Sequence, residues 1–327
     1  MRGALQTRSA LLVGCITVLL GQAAVAQSDG FATWLRALRA EARQLGISEP
    51  TLEAALTGVR PLPRVIELDR KQPEVTLTYT QYIQRVLPPA RIQQGKHLLS
   101  VHRALLAKIG AAYGVQPGII VALWGLESDY GQVTGNFQVI PALATLAYDG
   151  RRSALFRREL LEALKILDED HISSKAMVGS WAGAMGQNQF MPSSFRQFAV
   201  DYDGDGRRDV WTTLADIFAS TAHYLSRSGW HGDEGWGCPV TMSAMADATT
   251  GLEVRKPLAA WQALGLHQLN CRKPQNPAKS AALIVPEGPG GPAFLVYDNY
   301  HTLLKWNRSI NFALAAGQLA DAIEDSE

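Results

Sequence analysis

Cysteine, runs of like charge, long apolar spans and repeats are all scarce in this chain. Its 327 residues contain 3 cysteines, namely Cys15, Cys238 and Cys271. That is too few for a disulfide-built scaffold. His231 and His267 lie near the last two cysteines, but the spacing matches no zinc-binding pattern. Charged residues make up 19% of the chain and the formal net charge is +1. With no basic tract, this argues against a nucleic-acid partner. Beyond the first twenty residues no segment stays apolar long enough to span a bilayer. The absence of repeats and low-complexity segments excludes solenoids and arrays. What is present is an ordinary globular composition, 47% hydrophobic, on a chain long enough for one large or two moderate domains.

The first stretch has the layout of a secretory signal. Met1 to Ser9 carries Arg2 and Arg8 and no acid, Ala10 to Leu20 is mostly apolar, and Ala24-Val25-Ala26 precedes Gln27-Ser28-Asp29. A signal peptide over residues 1–26, cut after Ala26, is the expectation. Without Arg2 and Arg8 the chain keeps 29 basic residues against 30 acidic ones. Leu12-Val13-Gly14-Cys15 resembles a bacterial lipobox, so lipid attachment at Cys15 is the alternative. The apolar run continues through Leu20, however, whereas a lipoprotein turns polar after its cysteine. Export leaves Cys238 and Cys271, which are expected to pair as a disulfide; two unrelated buried thiols are the alternative.

Periodicity makes the chain mainly α. Phe31, Trp34, Leu35, Leu38, Ala42 and Leu45 recur at helical steps, and Ser48-Glu49-Pro50 opens a short helix with Leu52 and Leu56. Arg60 to Pro73, with Pro61 and Pro63, reads as an extended connection. Tyr79 to Val86 is helical and ends at Pro88-Pro89; Ala90 to Tyr113 reads as one long helix. Pro141 to Tyr148, Ser153 to Asp168, Pro192 to Val200, Leu214 to Ser226 and Tyr300 to Ile323 complete the helices. Glycines, prolines and β-compatible runs mark a small β-containing insertion over about 231–298: Pro239 to Met242, Ala281 to Val285 and Ala293 to Tyr297.

The chain is organised around Pro117 to Gly131. Ile119 to Leu126 is apolar throughout, and such a run makes a helix buried on every side. Pro117 suits its first turn and Gly131 the residue just past its end. Glu127 then falls in the last turn, where the helix dipole and the apolar surroundings both raise its pKa, as a general acid requires. A structural Glu paired with an arginine is the alternative. A glycosidase usually sets a second carboxylate about 5–9.5 Å away. Asp129 projects from another face, and no other acid is placed for that role.

Two further stretches carry chemistry. Gly179 to Phe195 holds three glycines and two alanines in its first eight positions, so backbone can approach an extended ligand. Ser180 and Gln189 can hydrogen-bond there and Phe190 can face a sugar ring; a tight packing loop is the alternative. Asp201, Asp203, Asp205, Gly206 and Asp209 match positions 1, 3, 5, 6 and 9 of an EF-hand loop, with Thr212 where the bidentate Glu belongs. An acidic surface turn is the alternative. Asp216 either completes a lengthened loop or caps the helix that follows.

Taken together, Ala122–Gly131, Tyr148–Arg152, Gly179–Gly186, Gln189–Ser194 and the Asp-rich loop resemble the bacterial lytic murein transglycosylase B family, from about Phe31 to Ile323. The resemblance implies a lysozyme-like α-helical core with a helical N-terminal part, a single transglycosylase domain over 27–327, and an EF-hand-like loop at 201–216. It implies cleavage of the β-1,4 bond between N-acetylmuramic acid and N-acetylglucosamine with 1,6-anhydromuramoyl ends, Glu127 being the single acid/base. A lysozyme-type hydrolase and a non-catalytic murein-binding scaffold are the competing readings. Tyr82, Arg151, Arg152, Ser180, Gln189, Tyr224 and Asn307 match substrate contacts. Trp306 and Phe312 stand where tyrosines are usual and are expected to keep a stacking face. Asp201, Asp203, Asp205, the Arg207 backbone and Asp216 match a site for structural Ca2+ or Na+, with no cofactor for the chemistry. Peptidoglycan strands are the expected partner of a periplasmic monomer, with cell-wall synthases or hydrolases as further candidates.

Overall fold

Apolar periodicity becomes helix along most of the chain. In a computed structural model the described residues are 13–71, 77–241, 250–268 and 278–325. Helices α1 (Val13–Gln44), α2 (Glu49–Leu56) and α3 (Pro63–Arg70) come first, followed by α4 (Tyr79–Val86), α5 (Pro89–Val101), α6 (Arg103–Tyr113) and α7 (Pro117–Ser128). Strand β1 (Phe137–Gln138), helices α8 (Val139–Asp149) and α9 (Ser153–Asp168), strand β2 (Val178–Gly179) and helices α10 (Pro192–Phe198) and α11 (Leu214–Arg227) continue it. The last third holds β3 (Gly237–Thr241), β4 (Arg255–Pro257), α12 (Leu258–Ala263), β5 (His267–Gln268), β6 (Ser280–Ile284), β7 (Ala293–Val296), α13 (Asp298–Trp306) and α14 (Ile310–Glu324). Of the expected signal peptide, residues 1–12 lie outside the described residues. Among those described, no single helix is long and apolar enough to cross a membrane.

The expected single domain divides into two compact units. The described part of the first comprises 13–71, 137–177 and 181–183. Its centre is α8, buried from Val139 to Ala147 except at Pro141. The Leu62 amide donates to the Thr145 hydroxyl at 2.9 Å, fixing the start of α3. The extended connection expected over Arg60–Pro73 is therefore wrong, because residues 63–70 are helical. Pro63 lies in the first turn, where a missing N–H costs nothing, and Val65 and Asp69, four residues apart, bury one face.

The second unit's described part comprises 77–136, 178–180 and 184–325. Residues Gly118 to Gly125 of α7 are all buried in its main core. The single helix expected from Ala90 to Tyr113 breaks at His102 (φ −99°, ψ 15°). The His102 ring packs edge-on against Trp124 and Phe218, so tertiary packing overrides the continuous helical pattern. Helix α7 also ends earlier than Gly131 suggested. Asp129 and Tyr130 both take left-handed conformations ahead of that glycine.

The β-compatible runs form a five-stranded antiparallel sheet of order β4-β6-β7-β3-β5. Its central strands β6 and β7 are buried on both sides. Phe294 and Val296 join the main core, while Ala293 and Leu295 join a smaller one with Trp261 and Tyr297. That explains why β7 reads as continuous rather than alternating apolar sequence. Cys238 on β3 is fully buried and disulfide-bonded. Cys271 lies outside the described residues.

Helix α14 packs along α7 and accepts the Trp236 indole against Gly317. A Cβ at Gly317 would come within 2.2 Å of that ring, and the indole N–H is held by Asp321 Oδ2 at 2.8 Å. Replacing a helical glycine by alanine normally gains about 1 kcal/mol, but overpacking a fixed ring costs about 1–3 kcal/mol. Gly317→Ala is therefore expected to lower the urea midpoint without changing the slope. An unchanged or raised midpoint would show that the indole moves freely.

Candidate active site

The apolar sequence of α7 drives its burial, and Glu127 is carried to the core's edge as the helix's penultimate residue. The side chain is half-buried. Burial pushes its carboxyl pKa up to about 7, opposed by a hydrogen bond from Trp306. That bond runs from Trp306 Nε1 to Glu127 Oε1 at 2.7 Å. Among the described residues no arginine or lysine pairs with Glu127, so the strut alternative has no support. The arginine goes to its neighbour instead: Arg91 Nη2 lies 3.0 Å from Asp129 Oδ1. The carboxylate nearest in sequence is thus turned to an ion pair.

The helix end is braced from several sides. Tyr130 folds back so that a Cβ on Gly125 would lie 2.6 Å from its ring, and its hydroxyl donates to the Arg91 carbonyl at 2.8 Å. The Ser128 hydroxyl donates to the Trp124 carbonyl and accepts from the Gly131 amide, both at 3.1 Å. Gln187 links α7 to the Asp-rich loop. Its carbonyl oxygen accepts from Trp124 Nε1 at 2.7 Å and its amide donates to the Trp211 carbonyl at 2.8 Å. The sequence reading passed over Gln187 and Arg91; the one signal for Gln187 was an amide-rich run, Gln187-Asn188-Gln189, beside the glycines.

The expected substrate residues fall into distinct groups. Tyr82 is half-buried on α4; burial raises its phenol pKa and the Glu127 charge adds to this, which places it near the carboxyl. Ser180 accepts from the Ala184 amide at 3.0 Å, leaving its O–H proton for another partner. Gln189 sits in a left-handed conformation, φ 49°, uncommon for a non-glycine residue and a mark of local constraint. Its side-chain amide donates to the Thr134 and Gly186 carbonyls at 3.0 and 2.9 Å. Gln189 therefore keeps its side-chain carbonyl oxygen, an acceptor, for a ligand. The Tyr224 hydroxyl donates to the Lys305 carbonyl at 2.7 Å, and Asn307 Oδ1 accepts from the Ser309 amide at 3.0 Å.

Two aromatic expectations need correction, and a third gains a role. Phe190 is buried and lies against Tyr224 and Trp306, with centroids at 5.9 and 5.4 Å. It supports those rings rather than facing a sugar. Phe312 is 7% exposed within the main core, so it offers no open stacking face. Trp306 supplies a hydrogen-bond donor to Glu127 in addition to a ring.

Arg151 and Arg152 belong to the first unit, where Asp69, 2% exposed, holds both. Arg151 Nε lies 2.9 Å from Asp69 Oδ2, and Arg152 Nη2 bonds Oδ1 at 2.5 Å. Burial tends to raise the Asp69 pKa, but the two guanidiniums outweigh it and hold the group below its ordinary value. Asp69 was missed because the segment containing it was read as extended.

In the Asp-rich loop, the carboxylate oxygens of Asp201, Asp203 and Asp205 lie within 4.8 Å of one another. Asp201 accepts from the Gly204 and Gly206 amides, and Asp205 from the Arg207 amide. Three converging hard-oxygen donors in a loop held by its own amides suit a hard cation. Asp216 is not one of these three. It is buried, and its oxygens accept from the Tyr202 and Asp209 amides, each at 2.8 Å. Nor does it cap α11: Thr213 is the N-cap residue. Asp216 braces the loop from beneath.

The family described as "Transglycosylase SLT domain" matches residues 30–321. The membrane-bound lytic murein transglycosylase B of Escherichia coli strain K12 is 29% identical over 296 residues, 85% of this chain and 79% of that protein. SltB3 of Pseudomonas aeruginosa, solved in complex with NAG-anhNAM-pentapeptide, is 44% identical with a TM-score of 0.87, covering 90% of this chain and 80% of that one. The lytic transglycosylase Slt35 of Escherichia coli, solved in complex with calcium, is 27% identical with a TM-score of 0.76, covering 90% and 93%.

A carboxyl raised to about 7 makes stability depend on pH. The folded pKa lies above the unfolded one, so stability is fully present below about pH 4.5 and is lost as pH rises through about 7. Glu127→Gln removes that loss. The variant is expected to match the parent in urea unfolding at pH 4.5 and to exceed it at pH 8 by on the order of 2–3 kcal/mol. Parallel stability curves across that range would contradict the desolvation.

Proposed function

The chain belongs to the transglycosylase SLT family and is a lytic murein transglycosylase; we propose that Glu127 alone serves as its acid and base. The observation that carries this reading is a carboxyl desolvated to a pKa of about 7 beside an Asp129 already engaged by Arg91. Near neutral pH such a group exists in both protonation states, as one residue with two successive roles requires. Protonated Glu127 gives its proton to the glycosidic oxygen as the bond to the muramoyl C1 breaks. The substrate's own N-acetyl oxygen stabilises the cationic carbon, which removes the need for a second carboxylate. The Glu127 carboxylate then takes the proton of the muramoyl C6 hydroxyl, whose oxygen bonds to C1. The product is a 1,6-anhydro end, no water is consumed, and Glu127 returns protonated.

Tyr82, Ser180, Gln189, Tyr224 and Asn307 contact the glycan in this reading. Arg151 and Arg152, which Asp69 holds, reach the glycan or its peptide. SltB3's complex with an anhydromuramoyl pentapeptide supports transglycosylation over the hydrolase alternative. Export to the periplasm with cleavage after Ala26, or anchoring through Cys15, fits an enzyme acting on murein. The Cys238–Cys271 disulfide fits the same compartment.

Product analysis tests the reaction. Sacculi digested with the purified protein are expected to release anhydro-muropeptides, and Glu127→Gln to release none above background. Reducing ends, heavier by one water, would establish a hydrolase, equal release above background by the variant would remove Glu127 as the acid/base, and no release by either protein would leave a binding scaffold.

The Asp201, Asp203 and Asp205 carboxylates, the Arg207 carbonyl and Asp216 would hold a cation, Ca2+ or Na+, that stiffens the segment between α10 and α11. The calcium complex of Slt35 supports calcium. Adding calcium to chelator-treated protein at about a hundredfold above its dissociation constant should stabilise it by about 2.7 kcal/mol. Asp203→Asn should abolish that shift. An unchanged melting temperature in the parent protein would remove the site.

A further inference from the structure

The indole of Trp306 is the only hydrogen-bond partner that reaches the Glu127 carboxyl among the described residues, at 2.7 Å to Oε1. An indole N–H donates and cannot accept. In a neutral carboxyl group the carbonyl oxygen is the better acceptor, so the oxygen facing a donor-only partner is the one without the proton. We infer that Trp306 is a positioning residue that fixes Oε1 of Glu127 and thereby assigns Oε2 as the oxygen that gives and later takes the proton. This rests on Glu127 being the acid/base.

The indole is well held for that task. Its ring meets Tyr224 edge-on at 4.7 Å and Phe190 at 5.4 Å. The Tyr224 hydroxyl is tied to the carbonyl of Lys305, the residue preceding Trp306. Phe190 is in turn fixed by paired backbone bonds with Met185, at 2.8 and 3.1 Å, inside the small-residue segment. A chain of contacts thus runs from Met185 through Phe190 and Trp306 to one oxygen of Glu127. It gives the buried Phe190 a role.

The donor also limits how far burial raises the pKa, since it favours the carboxylate. Other ionisable groups surround this end of α7: Tyr82 from α4, Arg91 from α5 with its partner Asp129, and His102 ahead of α6. Tyr224 comes from α11 and Lys305 from α13, while Glu324 of α14 sits at the far end, on the Gly118 amide. Burial and the Trp306 bond, not these charges, set the state of Glu127.

The test is the pH profile of kcat/KM for anhydro-muropeptide release from soluble glycan fragments, measured for the parent and Trp306→Phe. The first step needs protonated Glu127, so activity falls on the alkaline side through its pKa. Losing the donor should move that limb upward by about half a unit or more. A limb that coincides with the parent's overturns the proposal. A second measurement does not depend on the phenylalanine variant folding. In 15N-labelled parent protein one indole N–H resonance, absent from Trp306→Tyr, should titrate with a midpoint near that of the limb. Its titration should vanish in Glu127→Gln. A Trp306 resonance indifferent to pH across that midpoint also overturns the proposal. If Glu127→Gln keeps full activity, the acid/base reading itself falls; an inactive Glu127→Gln with an unmoved limb removes only the role of Trp306.

Discussion

Removing one carboxyl from water is the constraint on which the site depends. Helix α7 is apolar on every side and so cannot lie at a surface. Whatever its last turn carries is drawn partly inside with it. Raising Glu127 from 4.5 to about 7 corresponds to roughly 3 kcal/mol of lost carboxylate stability. The protein tolerates this because α7 also buries Ile119, Ile120, Val121 and Leu123, each contributing about 1.5–3 kcal/mol. The surrounding details read as supports for that one end. Tyr130 folds onto Gly125, Ser128 closes the turn, Arg91 occupies Asp129, and Gln187 ties Trp124 to the loop beyond.

Two opposed effects then decide the proton's behaviour. Burial favours the neutral acid, and the Trp306 N–H favours the carboxylate. Their sum leaves the group poised where neither form dominates near neutral pH. A lone residue that must first donate and then accept needs that balance. A carboxylate paired with arginine would never donate, and an unassisted buried acid would be slow to accept.

The sequence made some of this legible and concealed the rest for physical reasons. The apolar run into Glu127, the Asp-rich loop and the strands around Leu283 and Leu295 are local patterns, and each appears where its composition indicated. Helix α3 was hidden because two prolines in a short segment look extended, although Pro63 sits where a helix accepts it. The break at His102 comes from a ring drawn into the core, which no local pattern encodes. The Trp306–Glu127 bond joins residues 179 positions apart, so only the fold brings them together. Phe190 and Phe312 show the converse: an aromatic in a ligand-binding sequence context was recruited as support for the site or buried in the core. Asp216 carries the right charge at the right spacing, and the fold also sets its oxygens to accept from the loop's own amides.

The central claim is that Glu127 is a desolvated carboxyl with a pKa near 7. Site-resolved titration of its side-chain carboxyl carbon by NMR, assigned through Glu127→Gln, tests it most directly. The account predicts one glutamate resonance with a midpoint near pH 7, lost in the variant. A midpoint near 4.5 would contradict it, because a carboxyl already ionised at neutral pH has no proton to give the departing sugar.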